Sequence, residues 1–213
     1  MSISRQNLSV IIVSFKSDHV IHKCISSIDK EIEIIIIDNS NNTKFKKSIE
    51  AQYKNVKCIL SSKNIGMGAG NNLGINNIDK DFALILNPDV ILEKNTIDEI
   101  INASKLLETF ALISPISDNP KFQNYRIDKN KNHKFEYVDP FKVDAVDGYS
   151  MLLNLKRLRE LNDFYFFDEN IFLYLENDDL CKRVKKSGQK IFVIKNSIID
   201  HKGSSSSSIK NDP

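Results

Sequence analysis

Apolar residues fall into short solid runs separated by segments with helical spacing. Leu8 to Phe15, Ile32 to Ile37, Val56 to Leu60 and Phe82 to Leu86 each have the length and content of a buried strand. Between the first two, Val20, Ile21, Cys24, Ile25 and Ile28 recur at spacings of three and four, which predicts a helix opening at Asp18. A short polar helix is expected around Lys44 to Tyr53 and another around Asn71 to Asn77. Thr96 to Leu107 reads as an amphipathic helix with Ile97, Ile100, Ile101, Leu106 and Leu107 apolar. Solid strands alternating with helices predict an α/β domain with a mostly parallel central sheet flanked by helices. Ligands of such sheets sit beyond the carboxyl ends of the strands. Asp38, Asn87, Asp89 and the start of a glycine cluster all follow predicted strand ends.

The second half is less regular. Ser114 to Lys142 is polar and carries Pro115, Pro120 and Pro140, so loops and short strands are expected. An apolar stretch returns at Val143 to Leu153 around Asp147-Gly148. Phe164 to Leu175 reads as an aromatic-rich strand. Glu176-Asn177-Asp178-Asp179 then enters a helix to about Ser187, closed by Gly188 as a C-cap. Ile191 to Ile194 is a last strand, and His201 follows the run Ile198-Ile199-Asp200. Residues 1–203 are expected to form one domain. Residues 204–213, opening with five serines, are expected to be a mobile tail or the start of a missing extension.

Composition narrows the function. The 213 residues suit one large domain, and 41% hydrophobic against 27% charged residues excludes a disordered chain. Basic and acidic residues number 30 and 28, a net charge of +2, which excludes a nucleic-acid binder held by its overall field. Cys24, Cys58 and Cys181 are far apart with no CxxC, which argues for a reducing compartment and against a zinc site or disulfide framework. The N-terminal apolar run is too short for a signal peptide, and no stretch reaches the length of a membrane span. A cytoplasmic protein is expected, with room for attachment at the inner face of the membrane.

Several residues have both a chemical and a plain structural reading. Four of the seven glycines, Gly66, Gly68, Gly70 and Gly74, fall between a strand and a helix. They suit backbone amides presented to phosphate, or a tight loop with close helix packing. The cluster fits neither G-x-G-x-x-G nor a P-loop. Asn87-Pro88-Asp89 sets one carboxylate at a strand end, either for a divalent cation or as turn chemistry. Asp38 could accept from a base or ribose, or cap a turn. Glu176, Asp178 and Asp179 could include a general base or simply favour a helix start, and Asp179 is spaced to pair with Arg183. His201 could contact a metal or phosphate, or be a plain surface residue.

The order of these pieces resembles a family 2 glycosyltransferase with the GT-A (Rossmann-like) fold, most of all its rhamnosyltransferase-type branch. The carrying segments are VIIVSF at Val10, IIIIDNSNN at Ile34, NIGMGAGNNLGI at Asn64, LILNPDV at Leu84, DGYSMLLN at Asp147, FLYLENDDLCKRVKKSG at Phe172 and HKGSS at His201. The resemblance implies a nucleotide-diphosphate sugar donor, a glycan or lipid-linked acceptor, and Mg²⁺ or Mn²⁺. It implies that Ser14, Phe15 and Asp38 line the nucleotide pocket, and that Asn64, Gly66, Gly68, Asn71 and Asn72 hold nucleotide or sugar. Asp89 would stand for the last carboxylate of the DxD motif, with Asn87 where an Asp is common. Asp147 and Gly148 would lie near donor sugar or acceptor, and His201 would complete the metal site. The acidic cluster has Asn177 in the slot usually given to the base, which leaves Glu176 or Asp178 for that task.

Overall fold

The computed structural model describes residues 2–119, 123–127 and 139–201. The chain runs through β1 (Leu8–Ser14), α1 (Ile21–Ser26), β2 (Glu33–Asp38), α2 (Thr43–Gln52), β3 (Val56–Leu60), α3 (Met67–Ile75) and β4 (Phe82–Leu86). A short β5 (Val90–Leu92) and α4 (Thr96–Ser104) precede β6 (Leu112–Ser117), β7 (Tyr125–Arg126), β8 (Phe141–Val143), β9 (Ala145–Val146) and β10 (Ser150–Asn154). The described part closes with α5 (Leu155–Arg159), α6 (Glu176–Lys186) and β11 (Ile191–His201).

The main sheet has the order β3-β2-β1-β4-β10-β6-β11-β5, with β8 also on β11, while β7 and β9 form a separate pair. β3, β2, β1 and β4 are parallel, as are β6 and β11, and β10 is inserted antiparallel between β4 and β6. The solid apolar runs are explained by cover on both faces. Val10, Ile12, Ile34, Ile36 and Leu84 enter one core cluster, and Ile11, Val13, Ile35, Ile37 and Ile85 the other. Successive strand residues thus alternate between two helical layers. Each fully buried isoleucine contributes about 1.5–3 kcal/mol. The α/β domain with its mostly parallel sheet is therefore as expected.

Several elements differ from expectation, each for a visible reason. Helix α1 stops at Ser26, because the Ser27 hydroxyl donates to the Cys24 carbonyl and accepts from Leu92 N. Helix α4 ends at Ser104, whose hydroxyl takes the Ile101 carbonyl, and Leu106 lies beyond it, 74% exposed. Phe164 to Leu175 forms no strand. β11 does not stop at Ile194 but continues through a register shift to His201. The expected Ser-rich tail, residues 204–213, lies outside the described residues.

The glycine cluster is the largest difference. Helix α3 begins at Met67, so Gly68, Gly70 and Gly74 are inside it, and Gly66 is its N-cap at φ 84°. A Cβ on Gly70 would lie 2.8 Å from Val13 Cγ1, and one on Gly74 would lie 2.5 Å from Ile11 Cγ2. The absent side chains let the helix lie directly on β1. Gly74→Ala is expected to destabilise the protein by about 1–3 kcal/mol, because overpacking outweighs the roughly 1 kcal/mol of helix propensity gained. In an Ile11→Ala background the same change should be neutral or stabilising. Urea unfolding of the four proteins measures this, and additive effects would refute the packing explanation.

Candidate active site

A cleft of about 590 Å³ opens at the carboxyl ends of the parallel strands. Val13 lines it near the end of β1 and Phe15 just after that strand, Asn39 after β2, Asn64 and Gly66 before α3, and Asn87 to Asp89 after β4. Asp147, Gly148 and Tyr149 enter it ahead of β10, Phe172 to Asn177 at the start of α6, and His201 at the end of β11. A smaller hollow of about 460 Å³, lined by Phe82, Phe110 and Arg157, holds none of the candidates.

Asn87-Pro88-Asp89 is a turn with Asp89 in the cleft. Val90 N donates to the Asn87 carbonyl at 3.2 Å, and Asn87 N donates to the Tyr149 carbonyl at 2.9 Å. β5 pairs with β11 so that Val90 faces His201. That register brings His201 Nε2 to 3.6 Å from Asp89 Oδ1, with the two side chains only 10% and 3% exposed. The His201 ring stacks on Tyr149, centroids 4.0 Å apart and planes 24° from parallel. Burial pushes the Tyr149 phenol up to about 12, despite a hydrogen bond with Ser117 that acts the other way. Asn87 Oδ1 has no hydrogen-bond partner among the described residues.

No group of three or more His, Cys, Asp or Glu gathers for a metal among the described residues. Asp89, His201 and the amide oxygen of Asn87 instead lie together in the cleft. The two side-chain oxygens suit Mg²⁺ or Mn²⁺ and the imidazole favours Mn²⁺, with water and substrate phosphate to supply the remaining ligands.

The acidic cluster divides sharply. Tyr174 and Leu175, at φ 64° and 70°, turn the chain into α6, whose first residue is Glu176. Glu176 is 7% exposed and its Oε2 has no hydrogen-bond partner among the described residues. Burial raises its carboxyl above the ordinary range. Asn177 also lines the cleft, but its Nδ2 donates to the Val146 carbonyl at 3.1 Å. Gly148 has no side chain where Asn177 approaches, since a Cβ there would lie 3.2 Å from Asn177 Cβ. Asp178 is not brought to the cleft. It pairs with Arg126, which also holds Asp147 at 3.0 Å, and it borders a surface hollow with Lys182 and Lys185. Asp179 pairs with Arg183 at 2.7 Å, as its spacing suggested, and Arg183 donates to the Tyr165 and Phe166 carbonyls.

Several expected nucleotide contacts are absorbed by structure. Asp38 does not line the cleft, because its carboxylate accepts from Ser40 N at 3.1 Å, Ser40 Oγ at 2.5 Å and Asn42 N at 2.7 Å. Its turn reading therefore describes its contacts, and the next residue, Asn39, faces the cleft. Asn39 donates to the Gly66 carbonyl at 3.0 Å and accepts from Ser61 Oγ at 3.0 Å. Asn64 Oδ1 accepts from Gly66 N at 3.1 Å. Ser14 and Asn71 are buried outside the lining, each with a side-chain oxygen that finds no partner among the described residues.

The start of α3 is not left open as a phosphate cradle. Met67 N donates to the Phe172 carbonyl at 2.9 Å, and Gly68 faces Phe167 and Asp168. Asn72 takes the Phe167 N–H at 3.0 Å, and its Nδ2 reaches the Phe167 carbonyl and Glu169, both at 2.9 Å. Gly68 and Asn72 thus hold the segment that leads to Glu176. Asn39 and Tyr149 were missed by sequence reasoning. Asn39 could have been found as the neighbour of a strand-end Asp, and Tyr149 as the residue after Asp147-Gly148 in the DGYSMLLN segment.

The model of Glycosyl transferase family 2 matches residues 9–166, and the chain belongs to that family. Its fold is GT-A: GalNAc-T7, solved with UDP, GalNAc and Mn²⁺, superposes with a TM-score of 0.73 at 16% identity, over 91% of this chain and 43% of that one. Among curated relatives, the low-salt glycan biosynthesis hexosyltransferase Agl10 of Haloferax volcanii is 24% identical over 203 residues, 87% of this chain. The rhamnosyltransferase WbbL of Escherichia coli is 25% identical over 217 residues, again 87% of this chain. The chain spans 64% of the length of the first and 79% of the second.

The buried carboxyl of Glu176 has a stability consequence. Its pKa is raised by folding, so its contribution is fully present below the ordinary glutamate range and is lost as pH rises through the folded value. Glu176→Gln carries no such charge. The variant should match the parent at low pH and become more stable than it toward neutral pH. Thermal melts across pH read the difference, and a gap that is constant with pH would refute the desolvation account.

Proposed function

We propose that the protein is an inverting glycosyltransferase that moves a hexose or deoxyhexose from a nucleotide-diphosphate donor to a hydroxyl of a glycan or lipid-linked acceptor. The observation that carries this reading is one cleft holding a desolvated carboxyl, Glu176, together with the Asp89–His201 pair. Family membership and the sugar transfers named for the relatives support it.

Phe15, Asn39, Asn64 and Gly66 form the wall assigned to the nucleotide. Asp147 and Gly148 face the sugar or acceptor. Glu176 takes the proton of the acceptor hydroxyl as its oxygen attacks the anomeric carbon, and the bond to the diphosphate breaks on the opposite side. A raised pKa makes Glu176 a stronger base than an ordinary carboxylate. Asp89 and His201 would hold Mg²⁺ or Mn²⁺, which offsets the charge that builds on the departing diphosphate. No helix among the described residues is long and apolar enough to cross a membrane. On this reading, work on a lipid-linked acceptor takes place at the membrane face.

One observation favours a second reading, a sugar-nucleotide-binding module that partners an active transferase. Asn177, an amide, stands in the usual base slot and is committed to the Val146 carbonyl. Turnover decides between the two. In the enzyme, Glu176→Gln should lower kcat by about 10²–10⁴-fold while nucleotide binding persists. The parent's kcat should fall with acid through a midpoint above the ordinary carboxylate range. Binding without turnover across a broad donor and acceptor panel would establish the module instead.

Thermal shift with nucleoside diphosphates tests the metal. Mn²⁺ should add to the stabilisation by the preferred nucleotide, which reaches about 2.7 kcal/mol at 100 times Kd. Asp89→Ala should remove the Mn²⁺-dependent part and leave the nucleotide's own. An undiminished Mn²⁺ effect would remove Asp89 from the metal site.

A further inference from the structure

We propose that Tyr149 is a positioning residue that sets the plane of the His201 imidazole and so tunes metal affinity at Asp89. The proposal rests on the metal reading above and goes beyond it to a residue of the DGYSMLLN segment for which the resemblance implied no role.

Three elements meet on Tyr149. Its carbonyl accepts from Asn87 N at 2.9 Å and so fixes the turn that carries Asp89. Its ring stacks on His201 at 4.0 Å. Its hydroxyl end meets the Ser117 side chain at the end of β6. The β5–β11 register fixes the His201 backbone opposite Val90, but a backbone pairing does not choose the rotation of an imidazole. Stacking does. A ring held face to face with Tyr149 keeps its plane, and in that plane Nε2 lies 3.6 Å from Asp89 Oδ1. Without the tyrosine ring the imidazole could rotate and leave Asp89 alone. Partners that orient a metal-binding histidine are typically worth 10–100-fold in affinity.

The test uses the whole chain with Mn²⁺ alone as probe. Ring-current shifts of the His201 protons report the stack, and their paramagnetic broadening in a Mn²⁺ titration reports affinity. Tyr149→Phe keeps the ring and should bind Mn²⁺ within about twofold of the parent. Tyr149→Leu should lose the ring-current shift and bind roughly 10–100-fold more weakly. Its turnover should need correspondingly more Mn²⁺, with kcat restored at saturation, as fits positioning and not chemistry. Tyr149→Met replaces the leucine variant if that does not fold, as judged by its melting curve. Parent-like Mn²⁺ binding by the ring-less variant overturns the proposal and leaves the metal reading intact. Absence of Mn²⁺ broadening at His201 in the parent overturns both.

Discussion

Helix α3 lies so close to β1 that a side-chain carbon on Gly70 or Gly74 would collide with Val13 or Ile11. This steric fit governs the cleft. Because α3 sits that deep, Asn72 and Met67 reach the segment from Phe167 to Phe172 and bind its backbone. Gly66 meets the same segment so closely that a Cβ there would lie 2.3 Å from the Phe172 carbonyl. That grip holds the irregular chain just ahead of the left-handed pair Tyr174 and Leu175, which delivers Glu176 to the cleft. The residues that look like a phosphate loop therefore act on the far wall of the site by holding it in place.

The charges around the cleft are arranged with similar economy. Asp147 and Asp178 share Arg126, and Asp179 has Arg183, so these acidic side chains are offset by partners. Glu176 is left with burial as the main influence on its proton. Helical geometry does the sorting, since neighbours on α6 point about 100° apart. Glu176 and Asn177 reach the cleft while Asp178 faces the small β7–β9 sheet. A cluster that reads as one acidic patch in sequence is thus a single base candidate and a set of structural ion pairs.

Legibility followed physical range. β3 and β4 were readable to the residue because an apolar run flanked by turns is a local signal. The Asn-Pro-Asp turn, the ion pair of Asp179 with Arg183 and the placement of the cleft at the strand ends were equally visible. What failed was long-range. The glycines answer to Val13 and Ile11, more than fifty positions earlier, and a helix with glycine at three of its nine positions has little period to read. The extension of β11 to His201 depends on pairing with β6 and β5, and its polar middle, Lys195 to Ser197, hid it. Asp38 had two readings in sequence because capping a turn and binding a ligand call for the same acceptor, and the positions of Ser40 and Asn42 supply the turn contacts.

On the proposed reading, the replacement of an Asp by Asn87 has a definite electrostatic meaning. Two carboxylates would neutralise a divalent cation before any nucleotide arrived. One carboxylate beside a neutral imidazole and an amide leaves about one positive charge unspent, by simple counting. The unspent charge is felt most strongly by a diphosphate, in a cleft whose walls keep the ligand side chains only 10% and 3% exposed. Metal and nucleotide would then favour each other's binding, and the coupling is reciprocal. A site so dependent on its substrate cannot rely on excess ligands to hold its geometry. The rigidity must come from the surrounding protein, which is where the β5–β11 register and the ring of Tyr149 stand.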